Sequence, residues 1–252
     1  MGNKDLSESP EERGDAPSAS KISAIAKCRG FHQANQIFPW YGERDAANEG
    51  TIRHKHEEDQ TPLDEILDPD QRFCADRCRK ALTWCRDDLG LLENQTKIDR
   101  EVRLWWDDKW SGQLDYLETW SKLVDGKLTE FAFVADYKTL RGDHDPAPDN
   151  IQLLAQAVLV QKNYPNVHEV FVALIEPFQD PIYTTASYSA DHLRGRGDWI
   201  CGMVDEATGD NPSRTAGPSQ CKWCSAVPFC PEVRNKIMEI LYTTKLMRTF
   251  PH

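Results

Sequence analysis

The sequence has no stretch approaching the roughly 20 uninterrupted apolar residues that a membrane-spanning helix requires, which excludes a transmembrane protein. Its first twenty residues, MGNKDLSESPEERGDAPSAS, contain no apolar core and do not read as a secretory signal. Positive charge is in deficit: 30 Lys and Arg stand against 41 Asp and Glu, for a net charge of -11. A protein that coats nucleic acid by bulk charge has the opposite balance, so any nucleic-acid role must rest on a local site. Apolar residues make up only 39% of the chain and mean hydropathy is -0.65, polar for a globular protein yet short of a disordered composition. At 252 residues the chain holds one large domain or two small ones and is long enough to bury a core.

Cysteine is not scarce. There are eight, and without a secretion signal metal binding gains weight over a disulfide framework. Residues 1 to about 19, rich in Ser, Pro, Gly and charge without apolar period, read as a disordered tail. Residues 20–252 read as one domain. A helix is expected from Ser20 to Cys28, a loop over 38–48, a helix from near Glu49, and a longer helix over 63–89 carrying Cys74, Cys78 and Cys85. Strands are expected at Lys97–Trp105, Gly112–Glu118 and Leu128–Lys138, with Asp125-Gly126 as a hairpin turn. A helix at Asn150–Asn163, a buried strand at Val167–Ile175, and helices over 188–207 and 231–247 complete an α/β core with helices on both faces.

Chemistry concentrates in SGQLDYLETW and EFAFVADYKTL. Side chains at i and i+2 of a strand share a face, so Asp136 and Lys138 project together, and hairpin-like pairing brings Asp115 beside Asp136. Two carboxylates at a strand end make a hard oxygen site suited to Mg²⁺ or Mn²⁺. A lysine beside them can orient or deprotonate a water, or neutralise charge on a phosphorane-like transition state. A plain Asp–Lys pair on an exposed sheet face would give the same triplet.

Four motifs in order weigh against the plain pair: Gly50-Thr-Ile-Arg-His54, Gly112-Gln-Leu-Asp115, Asp136-Tyr-Lys138 and Gln152-Leu-Leu-Ala-Gln156. In this the chain resembles the PD-(D/E)xK nuclease superfamily in its RecB/AddB-like branch, which includes CRISPR-associated iron-sulfur exonucleases and phage-encoded nucleases. The resemblance spans about residues 20 to 235. One position departs: Gln156 stands where that branch usually has Tyr. The resemblance implies a restriction-endonuclease-like mixed sheet flanked by helices. It implies His54, Asp115, Asp136 and the Tyr137 carbonyl as metal ligands, Lys138 serving the catalytic water, and Gln152 facing the site from the following helix. His54 tilts the metal toward Mn²⁺. Glu58, one turn beyond His54, reads either as a support to the site or as a simple helix contact.

Cys221, Cys224 and Cys230 form C-x2-C-x5-C, three thiols that need a fourth ligand to close a metal or cluster site. Spacing alone does not separate zinc from iron–sulfur. The resemblance supplies Cys28 as the fourth ligand and a [4Fe-4S] cluster joining the N- and C-terminal segments, with Zn²⁺ on the same set, or on Cys201, as the alternative. Cys74, Cys78, Cys85 and Cys201 read as small core residues.

For nucleic acid, the basic segment 71–86 offers Arg72, Arg77, Arg79 and Lys80, with Phe73 and Trp84 available for stacking, and Arg141 follows the Asp136–Lys138 strand. Arg194 and Arg196 are secondary candidates, and a solvated helix face reads equally well. Trp105, Trp106 and Trp110 read as core. The function expected is a metal-dependent DNA exonuclease acting on single strands or duplex ends in phage or prokaryotic recombination or end processing. Its expected place is the cytoplasm of a prokaryotic or phage-infected host cell, with a recombination protein as a conceivable partner. The rival is a catalytically silent DNA-binding or recombination accessory protein of the same fold. Oligomeric state is not legible.

Overall fold

The computed structural model describes residues 14–39, 45–91 and 96–249. The expected tail lies outside them up to residue 13. From Gly14 the chain runs along the core: Ser18 bridges Ser111, and the Asp15 carbonyl is held by His32 at 2.8 Å.

The elements are α1 (Ala19–Lys27), α2 (Phe31–Ile37), α3 (Asp45–Glu58), α4 (Pro69–Asp88), β1 (Thr96–Trp106), β2 (Trp110–Val124), β3 (Lys127–Tyr137), α5 (Ile151–Asn163), β4 (Val167–Ile175), β5 (Tyr183–Ser189), α6 (Ala190–Thr208), α7 (Pro218–Cys221) and α8 (Pro231–Thr249). Among the described residues the strands form one five-stranded mixed sheet in the order β1-β2-β3-β4-β5. Strands β3 and β4 are parallel and joined through α5, while the other neighbours are antiparallel. A mixed α/β architecture with helices on both faces is therefore observed, as the patterning predicts.

Local chemistry explains most boundaries. The β2–β3 hairpin closes on Asp125 and Gly126 at φ 49° and 77°, the two left-handed positions that a two-residue turn of matching twist requires. Helix α4 begins at Pro69 rather than 63, because proline keeps Asp68 extended and Asp68 then caps the helix by accepting the Gln71 N–H at 2.8 Å. Asn150 caps α5 through Leu153 N–H. Strand β5 precedes α6, so the helix expected over 188–207 starts two residues later; the Thr- and Tyr-rich YTTASYS that forms β5 is strand-like in composition. Neither β5 nor the short helix α2 is among the expected elements.

The sheet divides two apolar layers. One face packs α1, α5 and α6 through Ile22, Ile25, Leu153, Leu159, Leu193 and Ile200 against Leu104, Leu114, Val134 and Val172. The other packs α4 through Cys74, Cys78, Ala81 and Cys85 against Tyr116, Phe133 and Tyr137. These three cysteines thus behave as small apolar side chains, and burial pushes the Cys85 thiol up to about 12. On this face Glu118, fully buried, holds Arg86 at 3.0 Å and accepts the Tyr116 hydroxyl at 2.6 Å, so the charge is satisfied on both oxygens.

Gly112 marks a close approach of helices to the sheet. A Cβ there would meet Leu159 Cδ1 at 2.7 Å and Ala19 Cβ at 2.9 Å. This glycine of the Gly112-x-x-Asp115 motif lets α1 and α5 close on β2 three residues from the carboxylate. Gly112→Ala is expected to lower stability by about 1–3 kcal/mol through overpacking, read as a lower urea midpoint at unchanged slope.

Candidate active site

Strands β2 and β3 pair without a break from Val124↔Lys127 to Tyr116↔Ala135, and there the ladder stops. Asp115 sits at the stop. Its Oδ2 accepts the Tyr137 N–H at 2.8 Å, taking the place a backbone carbonyl would hold. Across β2, Glu101 of β1 is missing from the ladder between Arg100↔Tyr116 and Val102↔Leu114, and its φ is 50°. That left-handed conformation costs a residue with a Cβ about 1–2 kcal/mol. The irregularity switches side-chain parity: Leu114 faces the α5 layer and Tyr116 the α4 layer, although two residues apart they would share a face in a regular strand. Asp115 is thereby freed from both layers and aimed into a cavity of about 580 Å³.

The structure brings His54, Asp115, Asp136, Tyr137, Lys138 and Gln152 to that cavity. Helix α3 delivers His54, with Nδ1 3.6 Å from Asp115 Oδ2. The helix is fastened by Arg53, which donates to the Thr139 carbonyl at 2.7 Å, and Gly50 lies against Leu140. Asp136 is buried and shares the α5 face with Val134. Its Oδ1 accepts from Gln152 Nε2 at 2.7 Å and from Gln156 Nε2 at 3.1 Å, and its Oδ2 pairs with Lys138 Nζ at 2.5 Å. Lys138 also donates to Gln152 Oε1 at 3.2 Å, closing a ring of Asp136, Lys138 and Gln152. At the position where the resemblance departs, Gln156 thus reaches Asp136 directly.

Glu101 was not anticipated. Ligand atoms of His54, Glu101 and Asp115 lie within 4.8 Å of one another, whereas Asp136 is engaged by Lys138 and the glutamines. A signal was present: in the hairpin whose arms end at Trp106 and Trp110, counting back equally on each arm sets Glu101 opposite Asp115. Glu58, by contrast, pairs with Lys55 at 2.9 Å at the cavity rim.

Burial dominates the electrostatics. It pushes the Asp115 carboxyl well above the usual carboxylate range, with the Asp136 charge adding to it, against the Tyr137 N–H bond that lowers it. Burial also raises Glu101. It lowers His54, more than the Asp136 charge raises it, which favours the neutral imidazole that a metal binds. For Lys138 burial acts downward, but the Asp136 charge and ion pair and the Asp115 charge outweigh it, so the ammonium is held cationic. Neutral nitrogen, carboxylate oxygens and the Tyr137 backbone converging where negative charge is expensive form a donor set that fits Mg²⁺ or Mn²⁺.

The cysteine segment lies elsewhere on the molecule. Cys28 ends α1, and its Sγ accepts the Thr215 N–H at 3.4 Å. The Cys224 N–H returns to the Cys221 carbonyl at 3.1 Å, and burial raises the Cys224 thiol, with its neighbours Cys221, Cys28 and Cys230 acting in the same direction. Ser225 bonds Asn35 of α2 at 2.7 Å, and Phe38 stacks on Phe229 at 4.6 Å. Residues from opposite ends of the chain therefore meet around four free thiols. Cys201 stands apart, packed against the α6 layer.

The basic candidates separate. Arg79 is committed to Glu57 and to the His56 and Thr61 carbonyls, an internal contact of α3 with α4. Arg72 donates to the Ile66 carbonyl, Lys80 pairs with Asp76 at 2.6 Å, and Arg77 lies 5.5 Å over Phe73. Arg141 lies 4.8 Å over Phe178, next to the cavity residue Leu140. The segment 71–86 does not present one basic face, and Arg141 is the candidate beside the site.

The Asp115 shift has a sign that can be checked. Its folded value exceeds the unfolded one, so its stabilising contribution is complete below the ordinary carboxylate range and is lost as pH rises through the raised value. At pH 7 without metal, Asp115→Asn is expected to raise the melting temperature. Mn²⁺ at about 100 times its Kd is expected to stabilise the wild type by about 2.7 kcal/mol and to leave the variant nearly unmoved. Thermal unfolding with and without Mn²⁺ decides it; a variant melting below the metal-free wild type would contradict the assignment.

No protein-family model matches the chain, and no curated protein matches it. Among solved structures, a protein named as a putative exonuclease from Eubacterium rectale is 14% identical, with a TM-score of 0.48 and 93% of each chain covered. A protein named SSO0001 is 12% identical, with a TM-score of 0.36 and 86% of each chain covered.

Proposed function

We propose that this chain is a metal-dependent deoxyribonuclease, an exonuclease acting on single-stranded DNA or duplex ends. The observation that carries the reading is the convergence of His54, Glu101, Asp115 and Asp136 with a cationic Lys138 in one cavity. His54, Glu101, Asp115, Asp136 and the Tyr137 carbonyl would hold Mg²⁺ or Mn²⁺, which when bound supplies Lewis-acid polarisation of phosphate oxygen and lowers the pKa of water.

The protein's own groups do the rest. Lys138, kept protonated by Asp136, offers an N–H to a water or to phosphate oxygen, a role of orientation and charge neutralisation rather than of a general base. Gln152 ties the lysine and Asp136 into one ring of hydrogen bonds, so neither side chain must reorganise as charge develops. Gln156 holds the same Asp136 oxygen from one helical turn further on. We further propose a [4Fe-4S] cluster on Cys28, Cys221, Cys224 and Cys230, clamping segments about 190 residues apart.

Degradation of end-labelled single- and double-stranded DNA with Mn²⁺ or Mg²⁺ tests the activity. Asp136→Asn is expected to lower the rate at least about 100-fold and Lys138→Ala about 100- to 1,000-fold. Undiminished degradation by Asp136→Asn, or none by wild-type protein on any DNA, would overturn the reading, and the second result would favour the accessory protein.

The cluster is tested separately. Anaerobically purified protein is expected to contain iron and inorganic sulfide in about equal amounts, and Cys224→Ala to lose both. Stoichiometric zinc without iron would replace the cluster by a zinc site on these thiols.

A further inference from the structure

Trp223 sits in the turn between Cys221 and Cys224 and is 77% exposed. Its indole is open to solvent rather than packed into either apolar layer. The Lys222 ammonium lies 5.4 Å over its ring. Together they border a groove of about 450 Å³ that runs between this turn and α1, where Lys27 and Ser23 line it. At its other end the groove merges with the candidate active site: Ser20, Lys138, His144 and Gln152 line both.

We propose that this groove is the path of a single DNA strand and that Trp223 is its base-stacking platform. The inference rests on the nuclease reading and extends it to substrate class. Lys27, Lys222 and Lys138 offer ammonium groups along a path that leads to the carboxylates, which suits a phosphate backbone. Asp143 and Asp145 also line it, so phosphates are expected to follow the α1 and cysteine-loop wall and to keep clear of the 143–145 loop. A flat, exposed indole under a cation accepts the face of an unpaired base of any identity. Bases inside a duplex already have both faces stacked, so the platform discriminates for unpaired strands and gives little sequence preference.

Fluorescence anisotropy of end-labelled oligothymidine and of a blunt duplex of equal length, in buffer without added divalent cation, tests the proposal on the full chain. Trp223→Ala is expected to weaken single-strand binding about 10-fold or more, with duplex binding unchanged, and Trp223→Phe to restore most of the loss. Trp84→Ala removes an indole 48% exposed on α4 and is expected to change nothing. Unaltered iron content and melting temperature in Trp223→Ala would show that the loss is local. Binding by Trp223→Ala equal to wild type, equal weakening by Trp84→Ala, or no single-strand binding by wild type would overturn the proposal. The cleavage assay on the same preparations separates the two readings. Cleavage with binding insensitive to Trp223 removes the stacking platform and leaves the nuclease; Trp223-dependent strand binding without cleavage removes the nuclease and supports the groove.

Discussion

Glu101, Asp115 and Asp136 line one cavity that burial has partly withdrawn from water, and the charge on Asp136 makes ionising the other two harder. Negative charge concentrated where solvation is poor is unstable by itself, since desolvation and like-charge repulsion act in the same direction. The surrounding structure holds that tension with a small set of donors: Lys138 and two glutamines on Asp136, the Tyr137 N–H on Asp115, and the Gln113 amide on Glu101 at 2.6 Å. Asp115 and Glu101 are left less compensated than Asp136, and they are the pair that lies with His54. On the reading proposed above, their remaining imbalance would be resolved by a proton or by a divalent cation. This is why metal affinity, proton uptake and stability are expected to be coupled through the same residues.

The fold supplies this arrangement through a defect in an otherwise regular sheet. Up to Tyr116↔Ala135 the β2–β3 ladder is ordinary; beyond it a side-chain carboxylate replaces a backbone acceptor. The left-handed Glu101 and the parity switch between Leu114 and Tyr116 are the cost of that substitution, located where neither apolar layer takes up the Glu101 or Asp115 side chain. Close packing elsewhere keeps the defect in place: Gly112 lets α1 and α5 lie directly on β2, and α5 then carries Gln152 and Gln156 to Asp136. Position in the sheet, rather than strength of any single bond, sets the geometry.

Much of this was legible in the sequence, and the misses have specific causes. Asp136 and Lys138 share a face by the period of a strand, and Asp125-Gly126 fixes the hairpin that brings β2 to β3. Both follow from local rules and both hold. The helix expected over 63–89 begins instead at Pro69, where Asp68-Pro69 is a capping signal. Glu101 escaped because a glutamate in a strand is ordinarily a solvent-facing residue. Only the register of the Trp106–Trp110 hairpin, a pairing between distant positions, reveals that it opposes Asp115. Arg79 shows the complementary difficulty. Composition marked it as a phosphate ligand, but Glu57, buried and three residues beyond His54, claims it for the α3–α4 contact. Charge content along a helix does not specify which charges are already balanced by neighbours that the sequence places on another element.

The net charge of -11 then becomes informative about how a polyanion could be accepted at all. An acidic surface repels DNA at long range, so attraction must come from a short path on which cations are concentrated and water is limited. Among the described residues the groove from Trp223 to Lys138 provides such a path, and its lysines stand on three separate segments that only the tertiary fold assembles. The cysteine loop contributes one wall of it, and α1, which ends at Cys28, contributes another. The proposed cluster on these thiols would therefore also fix the spacing between the two walls. Packing alone secures that spacing weakly, because the loop contributes few buried apolar side chains: Ala226 is buried, while Trp223 and Phe229 remain exposed. A covalently strong tie between Cys28 and the loop is the feature that would keep the groove at a width one strand can enter.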